Sequence, residues 1–274
     1  MHTPFLSIIT INYNNADGLR KTIESVKNQT SKDYEHIIID GASTDQSISI
    51  LKDFLKDENY AKQVSFWCSE KDKGVYDAMN KAIPLANGEY CLFLNSGDFL
   101  ADNCVVERVH KYDLKDEIVY SNAILYTSKK EWKNIPPAKI TLDFFSTYKT
   151  LNHQNMLFKT SFIREHPYSL EYKITADADL YFKAFVEQTA SFKYINDVIS
   201  KYEAETGLSS VMGMEKRHAE RKLQIDKYIP NYVQEVLEEL NTYENKYHGI
   251  LKKIKNFFML YSKIKNGIKR GNKK

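Results

Sequence analysis

The sequence predicts an open α/β fold in which a mostly parallel sheet is flanked by helices. Three observations predict it. Short apolar runs recur along the N-terminal part of the chain, amphipathic stretches separate them, and each run is continuous instead of alternating with polar residues. Continuous runs are typical of strands buried on both faces, and a repeated strand–helix order implies parallel strands joined by right-handed crossovers.

The predicted elements follow in chain order. The strands are Leu6–Ile11 (LSIITI), His36–Ile39 (HIII), Val64–Trp67 (VSFW) and Tyr90–Leu94 (YCLFL). The helices between them are Leu19–Lys27, Ser47–Lys56 and Val75–Leu85, each amphipathic and long enough for a crossover, and a later helix is predicted over Asp177–Val186. In sheets of this kind, ligands bind beyond the carboxyl ends of the strands.

Polar residues follow every predicted strand. They are Asn12–Asn14, Asp40, Ser69–Asp72 and Asn95–Asp98. Parallel strands deliver their ends to one edge of the sheet, and a set rich in carboxylates suits a hydroxyl-rich, phosphate-bearing ligand with a divalent cation. Taken singly, each segment is also compatible with an ordinary loop, and Asp40–Gly41 reads as a turn.

Charge and missing motifs exclude several function classes. The net charge of +3 is too small to indicate a nucleic-acid partner. No glycine-rich fingerprint of a dehydrogenase follows the first strand, and the glycine-rich nucleotide loop of a sugar-nucleotide pyrophosphorylase is also missing. The N-terminus has neither the basic region of a signal peptide nor the apolar length of a membrane span, so we expect a cytoplasmic protein.

Several segments in register carry a family resemblance. They are SIITINYNN, YEHIIIDGASTDQS, EKDKGVYDAMNKAIPLANGEY, FLNSGD, NHQNMLFK (Asn152–Lys159) and TADADLYFKA (Thr175–Ala184). Together they resemble family 2 glycosyltransferases of the GT-A fold, and more narrowly the bacterial branch that builds surface polysaccharides. The resemblance implies a nucleoside-diphosphate sugar as donor and a saccharide as acceptor. Enzymes of this branch often extend saccharides that are linked to a lipid, so the resemblance also points to a lipid-linked acceptor.

The resemblance implies a nucleotide site at the first two strand ends. Thr10, Tyr13 and Asp40 match positions that hold the nucleotide, Asp40 by hydrogen bonding to the base. Trp67 and Tyr76 are aromatic residues that could stack on a base or sugar ring, although Trp67 is more typical of a core residue.

The metal motif departs from the family pattern. Asp98 matches the last aspartate of the DxD-type motif, which bridges Mn²⁺ or Mg²⁺ to the diphosphate, but the preceding residues from Asn95 carry no carboxylate. We therefore expect weak metal affinity without the nucleotide. Many relatives also carry an arginine where Met79 precedes Asn80, and we expect Lys73 to supply charge to the phosphates instead.

The resemblance also implies the residues around the sugar. Asp177 matches the acidic position that serves as catalytic base, and in-line attack from its side would invert the anomeric configuration. Asp179 is the rival for the base; otherwise we expect it, with Asn80, His153 and Gln154, near the sugar. A non-catalytic nucleotide-sugar-binding or scaffold protein of the same fold remains the alternative function.

Two parts of the chain are distinguished by composition. Residues 1–212 are predicted to form the nucleotide-sugar-binding and catalytic domain, and residues 213–274 a helical extension with a basic amphipathic tail. Apolar and basic residues recur at helical spacing through 250–274, which is typical of a helix that lies on an anionic membrane surface. The same pattern also fits a helix that packs on its own domain or on a second subunit.

Overall fold

A nine-stranded mixed sheet organises the chain. The structure is a computed structural model that describes residues 3–147, 149–205, 213–231, 233–240 and 242. The strands are β1 (Leu6–Asn12), β2 (Tyr34–Asp40), β3 (Val64–Ser69), β4 (Tyr90–Phe93), β5 (Phe99–Leu100), β6 (Ile118–Tyr126), β7 (Glu131–Asn134), β8 (Met156–Lys159) and β9 (Phe192–Glu203). Their order is β3-β2-β1-β4-β8-β6-β9-β5, and β7 pairs with β6 beside this path.

The structure describes nine helices up to Tyr228. They are α1 (Ala16–Lys27), α2 (Ser47–Phe54), α3 (Glu58–Ala61), α4 (Val75–Ala82), α5 (Val105–His110), α6 (Leu142–Ser146), α7 (Thr160–Glu165), α8 (Ala176–Val186) and α9 (Gly213–Tyr228). Short 3-10 turns occur at Ile83–Leu85 and His153–Asn155. The four strands and four helices predicted from the sequence are all present, within a few residues of their predicted ends.

The first half of the sheet is parallel, as predicted. Strand β1 pairs in parallel with β2 and with β4, and β2 pairs in parallel with β3. The register sets Asn12 opposite Asp40, so these polar residues arrive together at one edge of the sheet. In the second half, β8 pairs antiparallel with β4 and β6, while β6 and β9 are parallel.

Burial distinguishes the central strands from the edge. Every residue of β1, β2 and β4 is buried, as their continuous apolar runs predicted. Strand β3 was predicted to be buried on both faces as well, and this is wrong: its residues are half-buried or exposed. The reason is its position at the end of the sheet, where only β2 pairs with it. Trp67 nevertheless packs against the apolar cluster of Leu19, Ile38 and Tyr60.

The structure divides the chain into two units after Tyr228. Residues Met1–Tyr228 form one compact unit and Ile229–Lys274 a second. Helix α9 belongs to the first unit, where it packs on α8 and buries Arg221, Gln224 and Ile225. In the second unit, the described residues after Pro230 are helical, and the tail 250–274 lies outside the described residues. Among the helices that the structure describes, none has the length and hydropathy needed to cross a bilayer.

A close backbone approach fixes the start of β4 against β1. A Cβ atom at Gly88 would lie 2.5 Å from the Ser7 nitrogen and 2.7 Å from the Leu6 carbonyl carbon. The Gly88 N–H also donates to the Ser7 hydroxyl at 2.8 Å, and that hydroxyl donates to buried Glu35 at 2.6 Å. Only glycine fits here, because both nearest contacts are backbone atoms.

We expect Gly88→Ala to lower the free energy of unfolding by about 1–3 kcal/mol, since the added methyl group must displace β1 from β4. Urea unfolding followed by circular dichroism measures this. Exposed Lys62→Ala is the control and should stay within about 0.5 kcal/mol of the parent. An unchanged midpoint for Gly88→Ala would show that the strands yield without cost.

Candidate active site

The turn after β4 is held by a hydroxyl from α1. Thr22 Oγ1 donates to the Asp98 carbonyl oxygen at 2.6 Å and accepts from the Gly97 N–H at 3.1 Å. Gly97 has φ +105°, which favours glycine, and Asn15 donates to the Ser96 carbonyl oxygen at 3.0 Å. The chain therefore leaves the strand in a fixed turn that directs the Asp98 side chain inward.

The Asp98 carboxylate is buried and only partly compensated. The residue is 4% exposed, and its Oδ1 accepts from the Glu203 N–H at 3.0 Å. The pKa of Asp98 is raised to about 7, mainly by burial and also by the charge of Glu203. Hydrogen bonds from the Glu203 N–H and from Gln154, together with the nearby His153, lower it in part. An additional positive charge would return this carboxyl to its ionised form.

Asp177 and His153 form a half-buried pair between α8 and the 3-10 turn. His153 Nδ1 lies 3.0 Å from Asp177 Oδ2, and the two side chains are 14% and 15% exposed. His153 Nε2 lies 3.3 Å from the Asn95 amide nitrogen. Because that amide is a donor, the network assigns the acceptor role to Nε2 and the proton to Nδ1, which donates to Asp177.

Tyr76 holds the other oxygen of Asp177. Its hydroxyl lies 3.0 Å from Asp177 Oδ1 and 2.8 Å from the Ile174 carbonyl oxygen, so its one proton is shared between these two acceptors, and the tyrosine is buried at the start of α4. Burial raises the pKa of Tyr76 well above its ordinary value, and the negative charge of Asp177 adds to this, so the phenol stays protonated as a donor. The predicted stacking role of Tyr76 is therefore wrong: its ring is inside the protein, and its hydroxyl orients the candidate base.

Helix α9 fixes the segment that leads into α8. The Glu220 carboxylate accepts from the backbone N–H groups of Lys173, Ile174 and Thr175 at 2.8, 3.0 and 3.0 Å. The Gln224 amide donates to the Thr175 carbonyl oxygen at 2.9 Å. These bonds hold the residues just before Asp177, and the position of that carboxylate therefore depends on α9.

Two of the predicted nucleotide-binding residues are fully buried. The Asp40 carboxylate accepts from Asn12 at 2.7 Å, from Ser69 at 2.6 Å, and from both the hydroxyl and the N–H of Ser43 at 2.6 and 2.8 Å. The structure does not bring this carboxylate to the surface, because the protein supplies all of these partners itself; Asp40 orders the loop after β2 instead of presenting an acceptor to a base.

The Thr10 side chain is likewise not available to a ligand. Its hydroxyl lies 2.9 Å from His36 Nε2, and the residue is fully buried. The other ring nitrogen of His36 lies 2.7 Å from the Tyr60 hydroxyl. Burial lowers the pKa of His36 to about 3, so this histidine is neutral and the network is structural.

The other two predicted nucleotide-binding residues are accessible. Tyr13, directly after β1, is 66% exposed and lies beside Gly41. Lys73 is exposed in the loop before α4, where its N–H donates to Asp77 at 2.9 Å. An exposed aromatic ring at a strand end offers a flat face on which a base can stack.

Three of the predicted sugar-contacting side chains have partners within the protein. Asn80 donates to the Tyr168 carbonyl oxygen at 2.8 Å and accepts from the Tyr168 N–H at 2.9 Å. Gln154 is buried and hydrogen bonds to Asp98. Asp179 is buried and accepts from the Tyr228 hydroxyl at 2.8 Å, and burial raises the pKa of its carboxyl.

Two residues along a helix turn the side chain by about 200°, so Asp179 lies on a different face of α8 from Asp177. The structure brings Asp98, Gln154, His153 and Asp177 into one neighbourhood. It directs Asn80 and Asp179 to structural contacts elsewhere.

The residues around Asp98 fit a divalent cation that is held jointly with a diphosphate. Within the described ranges, no three His, Cys, Asp or Glu side chains form a metal-binding group. Asp98 contributes one poorly compensated carboxylate, and the nearby Asn95 side-chain oxygen is buried without a partner. Mg²⁺ is usually bound by one or two carboxylates together with substrate phosphates and water, so Asp98 is the residue that would hold it.

A cavity of about 610 Å³ lies beside the His153 turn. Its walls come from β6, from the segment after β7, from α6 and from the residues before the turn. The lining includes Tyr120, Ile135, Pro137, Phe144, Lys149 and Asn152. The volume suits a ligand of a few hundred daltons, and the mixture of apolar and polar walls suits an amphipathic one.

Comparison with known proteins identifies the family. Residues 7–183 match the family described as Glycosyl transferase family 2. The chain belongs to this family. It is a glycosyltransferase whose match covers the first eight strands and ends within α8, after Asp177 and before α9.

This glycosyltransferase is similar in sequence to two bacterial proteins of named function. It is 29% identical over 216 residues to a PGL/p-HBAD biosynthesis glycosyltransferase of Mycobacterium bovis, covering 77% of this chain and 82% of that protein. It is 25% identical over 168 residues to the teichoic acid poly(glycerol phosphate) polymerase of Staphylococcus epidermidis, covering 59% of this chain and 23% of that protein.

Solved structures confirm the GT-A fold. Staphylococcus aureus TarS (residues 1–349, with UDP-GlcNAc) has a TM-score of 0.61 at 16% identity and matches 80% of this chain and 66% of that one. The Pyrobaculum calidifontis mannosyltransferase PcManGT, in complex with GDP-Man and Mn²⁺, has a TM-score of 0.59 at 16% identity and matches 82% of this chain and 63% of that one. The glycosyltransferase thus spans just under two thirds of each.

Two contributors to the glycosyltransferase site were not found from the sequence, and a third, Tyr76, was expected to stack on a ligand ring instead. Glu203 comes from a segment without a chemical signature, and Glu220 lies on a helix assigned to the extension. A buried tyrosine four residues before Asn80 carries no sequence signal that separates a hydrogen-bond donor from a core residue. Glu220 lies forty-odd residues after its partners in the chain, which no local pattern reveals.

We expect Asp98→Asn to stabilise the glycosyltransferase at high pH. A carboxyl whose pKa rises from 3.8 to about 7 on folding binds its proton more tightly in the folded state. Its contribution to stability is therefore present below about pH 4 and is lost as the pH rises toward 7. The variant should exceed the parent by on the order of 4 kcal/mol at pH 8 and match it near pH 4.

Thermal or urea unfolding between pH 4 and pH 8, in buffer with a chelator, measures this difference. Asp17→Asn, at an exposed site on α1, is the control and should shift stability by less than about 1 kcal/mol with little pH dependence. A pH-independent difference for Asp98→Asn would mean that the carboxyl is already compensated.

Proposed function

We propose that the protein is an inverting glycosyltransferase that moves a sugar from a nucleoside-diphosphate sugar to a hydroxyl of a saccharide acceptor in cell-surface polysaccharide or glycolipid synthesis. The observation that carries the proposal is the half-buried pair of Asp177 and His153, 3.0 Å apart, which Asn95 links to the turn that bears Asp98. The names of the mycobacterial and staphylococcal relatives support the surface-glycan assignment.

Asp177 acts as the general base. The acceptor oxygen attacks the anomeric carbon, its proton passes to Asp177, and the bond to the phosphate oxygen breaks, so the diphosphate leaves with the electron pair. Attack opposite the leaving group inverts the anomeric configuration. Tyr76 and His153 donate to the two oxygens of Asp177 and fix its orientation before the acceptor arrives.

Asp98 acts on the leaving group. Negative charge grows on the diphosphate as the bond breaks, and a Mn²⁺ or Mg²⁺ ion bound there would stabilise that charge where it develops. Gln154 and the Glu203 N–H hold the Asp98 carboxylate in place. This gives Gln154 a positioning role at Asp98, and His153 a positioning role at Asp177.

Tyr13 and Lys73 are proposed to contact the nucleotide. The exposed Tyr13 ring would stack on the base, and the Lys73 ammonium would approach the phosphates. Asp40 would act indirectly, because its hydrogen bonds to Ser43 and Ser69 shape the loop on which the base rests.

The acceptor is proposed to be linked to a lipid at the inner face of the cell membrane. The basic amphipathic pattern of 250–274 would hold the enzyme at that surface, since each Lys or Arg near an anionic leaflet contributes about 1 kcal/mol. A non-catalytic nucleotide-sugar-binding protein is the second candidate, favoured by the single carboxylate of the metal motif.

The donor is tested by incubating purified protein with a panel of UDP-, GDP- and dTDP-sugars, with and without Mn²⁺. We expect one donor to be hydrolysed slowly in the presence of the metal, and Asp98→Ala to abolish that hydrolysis while Asp17→Ala retains it. Failure of every donor to bind with metal present would favour the non-catalytic candidate.

The base is tested by comparing Asp177→Asn with Asp179→Asn. We expect Asp177→Asn to lower kcat by about 10²–10⁴-fold with donor affinity retained, because the amide cannot accept the proton. Asp179→Asn should keep most of its turnover, since its carboxylate contacts Tyr228 on the other side of α8. Turnover that survives in Asp177→Asn and fails in Asp179→Asn would reverse the assignment.

A further inference from the structure

The segment around β7 combines exposed apolar and basic side chains. All four residues of β7 are exposed, and Trp132 and Ile135 are 38% and 63% exposed. Four lysines lie between residues 127 and 139, at Lys129, Lys130, Lys133 and Lys139. We call the six residues just named the basic apolar edge.

The charge of this edge is not neutralised within the protein. The one acidic residue in the segment, Glu131, is paired with Lys201 of β9 at 2.8 Å. Across the part of the chain that the structure describes, none of the four lysines forms a salt bridge, and Lys130 Nζ lies 5.0 Å above the Trp132 ring. The segment therefore presents net positive charge around exposed apolar groups.

Protection of a sheet edge explains only part of this composition. Lysines on an edge strand discourage pairing with other strands. An exposed tryptophan and an exposed isoleucine have the opposite effect, because they favour association with apolar surfaces. Tryptophan is enriched where a protein meets the headgroup region of a bilayer, and lysine is attracted to the anionic lipids of that region.

We propose that the basic apolar edge docks on the surface of an anionic lipid bilayer. Trp132 and Ile135 enter the headgroup region, and the four lysines contact lipid phosphates. The combination of an exposed tryptophan and isoleucine with four lysines favours a bilayer over a protein partner, and the segment stays positive with Glu131 paired to Lys201 and Glu205 bound to Ser128. The six residues of the basic apolar edge lie in another part of the sequence from the tail 250–274, and the structure describes all six.

The edge is connected to the candidate active site. Asn134, at the end of β7, donates to the Asn152 side chain at 3.0 Å, and His153 follows directly. Ile135 and Pro137 also form part of the wall of the 610 Å³ cavity. Docking at this edge would therefore set the cavity beside the bilayer; this consequence for a lipid-linked acceptor rests on the proposed function, whereas the docking itself does not.

Tryptophan fluorescence tests the proposal locally, because the chain has two tryptophans, Trp67 and Trp132. In full-length Trp67→Phe, the remaining Trp132 reports on the edge. We expect its emission to shift to the blue with vesicles of phosphatidylcholine containing phosphatidylglycerol, and to be quenched when those lipids carry brominated acyl chains. Vesicles of phosphatidylcholine alone should give little change.

Full-length Trp132→Phe is the matched control. Trp67 lies on β3, about five strand spacings from β6 in the sheet, and packs against an apolar cluster. Its emission should therefore not respond to the vesicles. Binding of the chain to anionic vesicles without any change at Trp132 would overturn the proposal and assign binding to another segment. Absence of binding to anionic vesicles would overturn it as well.

Substitutions separate the apolar and the basic contributions. Lys130→Gln with Lys133→Gln should lower affinity for the anionic vesicles by roughly fivefold per lysine, and added salt should reduce the difference. Ile135→Ser should weaken binding. Phe66→Ser should not, because Phe66 lies on β3, although it is as exposed as Trp132, at 38%. Equal effects of Ile135→Ser and Phe66→Ser would contradict a specific edge.

Donor hydrolysis by the Lys130→Gln, Lys133→Gln variant, without vesicles, separates the two proposals. Hydrolysis should equal that of the parent, because neither lysine lies at Asp98 or Asp177. Loss of vesicle binding with hydrolysis retained supports docking; failure of hydrolysis in the parent itself concerns the proposed function and leaves the fluorescence result valid.

Discussion

The hydrogen bonds from Asn95 to His153 and from Tyr76 to Asp177 join the two halves of the sheet through the His153–Asp177 pair, and the arrangement of the site depends on them. Asn95 belongs to the end of the parallel half of the sheet, His153 to the turn before β8, and Asp177 to α8. Within its own stretch of sequence, the Asp177 carboxylate accepts from the Ala178 N–H at 2.9 Å, and the bonds between the three groups come from distant parts of the chain. Their positions are fixed by one another and by Tyr76, so removal of any member frees the others to move.

Burial gives this network its chemical character. The Asp98 carboxyl is kept from water, which raises its pKa toward neutrality, whereas the Asp177 carboxylate accepts hydrogen bonds from Tyr76 and His153. Two aspartates that are identical in sequence terms thus receive different environments. One is suited to a cation and a diphosphate, the other to a proton.

The fold could be predicted further than the site. Continuous apolar runs identified β1, β2 and β4, because a strand that is buried on both faces needs apolar residues at every position. The same pattern predicted burial wrongly for β3, because the sequence does not show that this strand lies at the end of the sheet. Motifs singled out Asp98 and Asp177, which the structure brings into one neighbourhood, and their roles stay predictions. The surroundings of Asp40, Thr10 and Asn80 could not be predicted, because which oxygen faces solvent depends on partners such as Ser69, His36 and Tyr168 that lie far away in the chain.

Helix α9 gives the molecule a longer catalytic unit than its family match. The match ends at residue 183, yet Glu220 and Gln224 hold the backbone from which α8 begins. Helix α9 consequently lies outside the family match, yet changes at Glu220 and Gln224 would loosen the backbone before α8. Selection for catalytic rate would act on a segment that carries no catalytic group, and homologues could diverge in efficiency there while every motif stays intact.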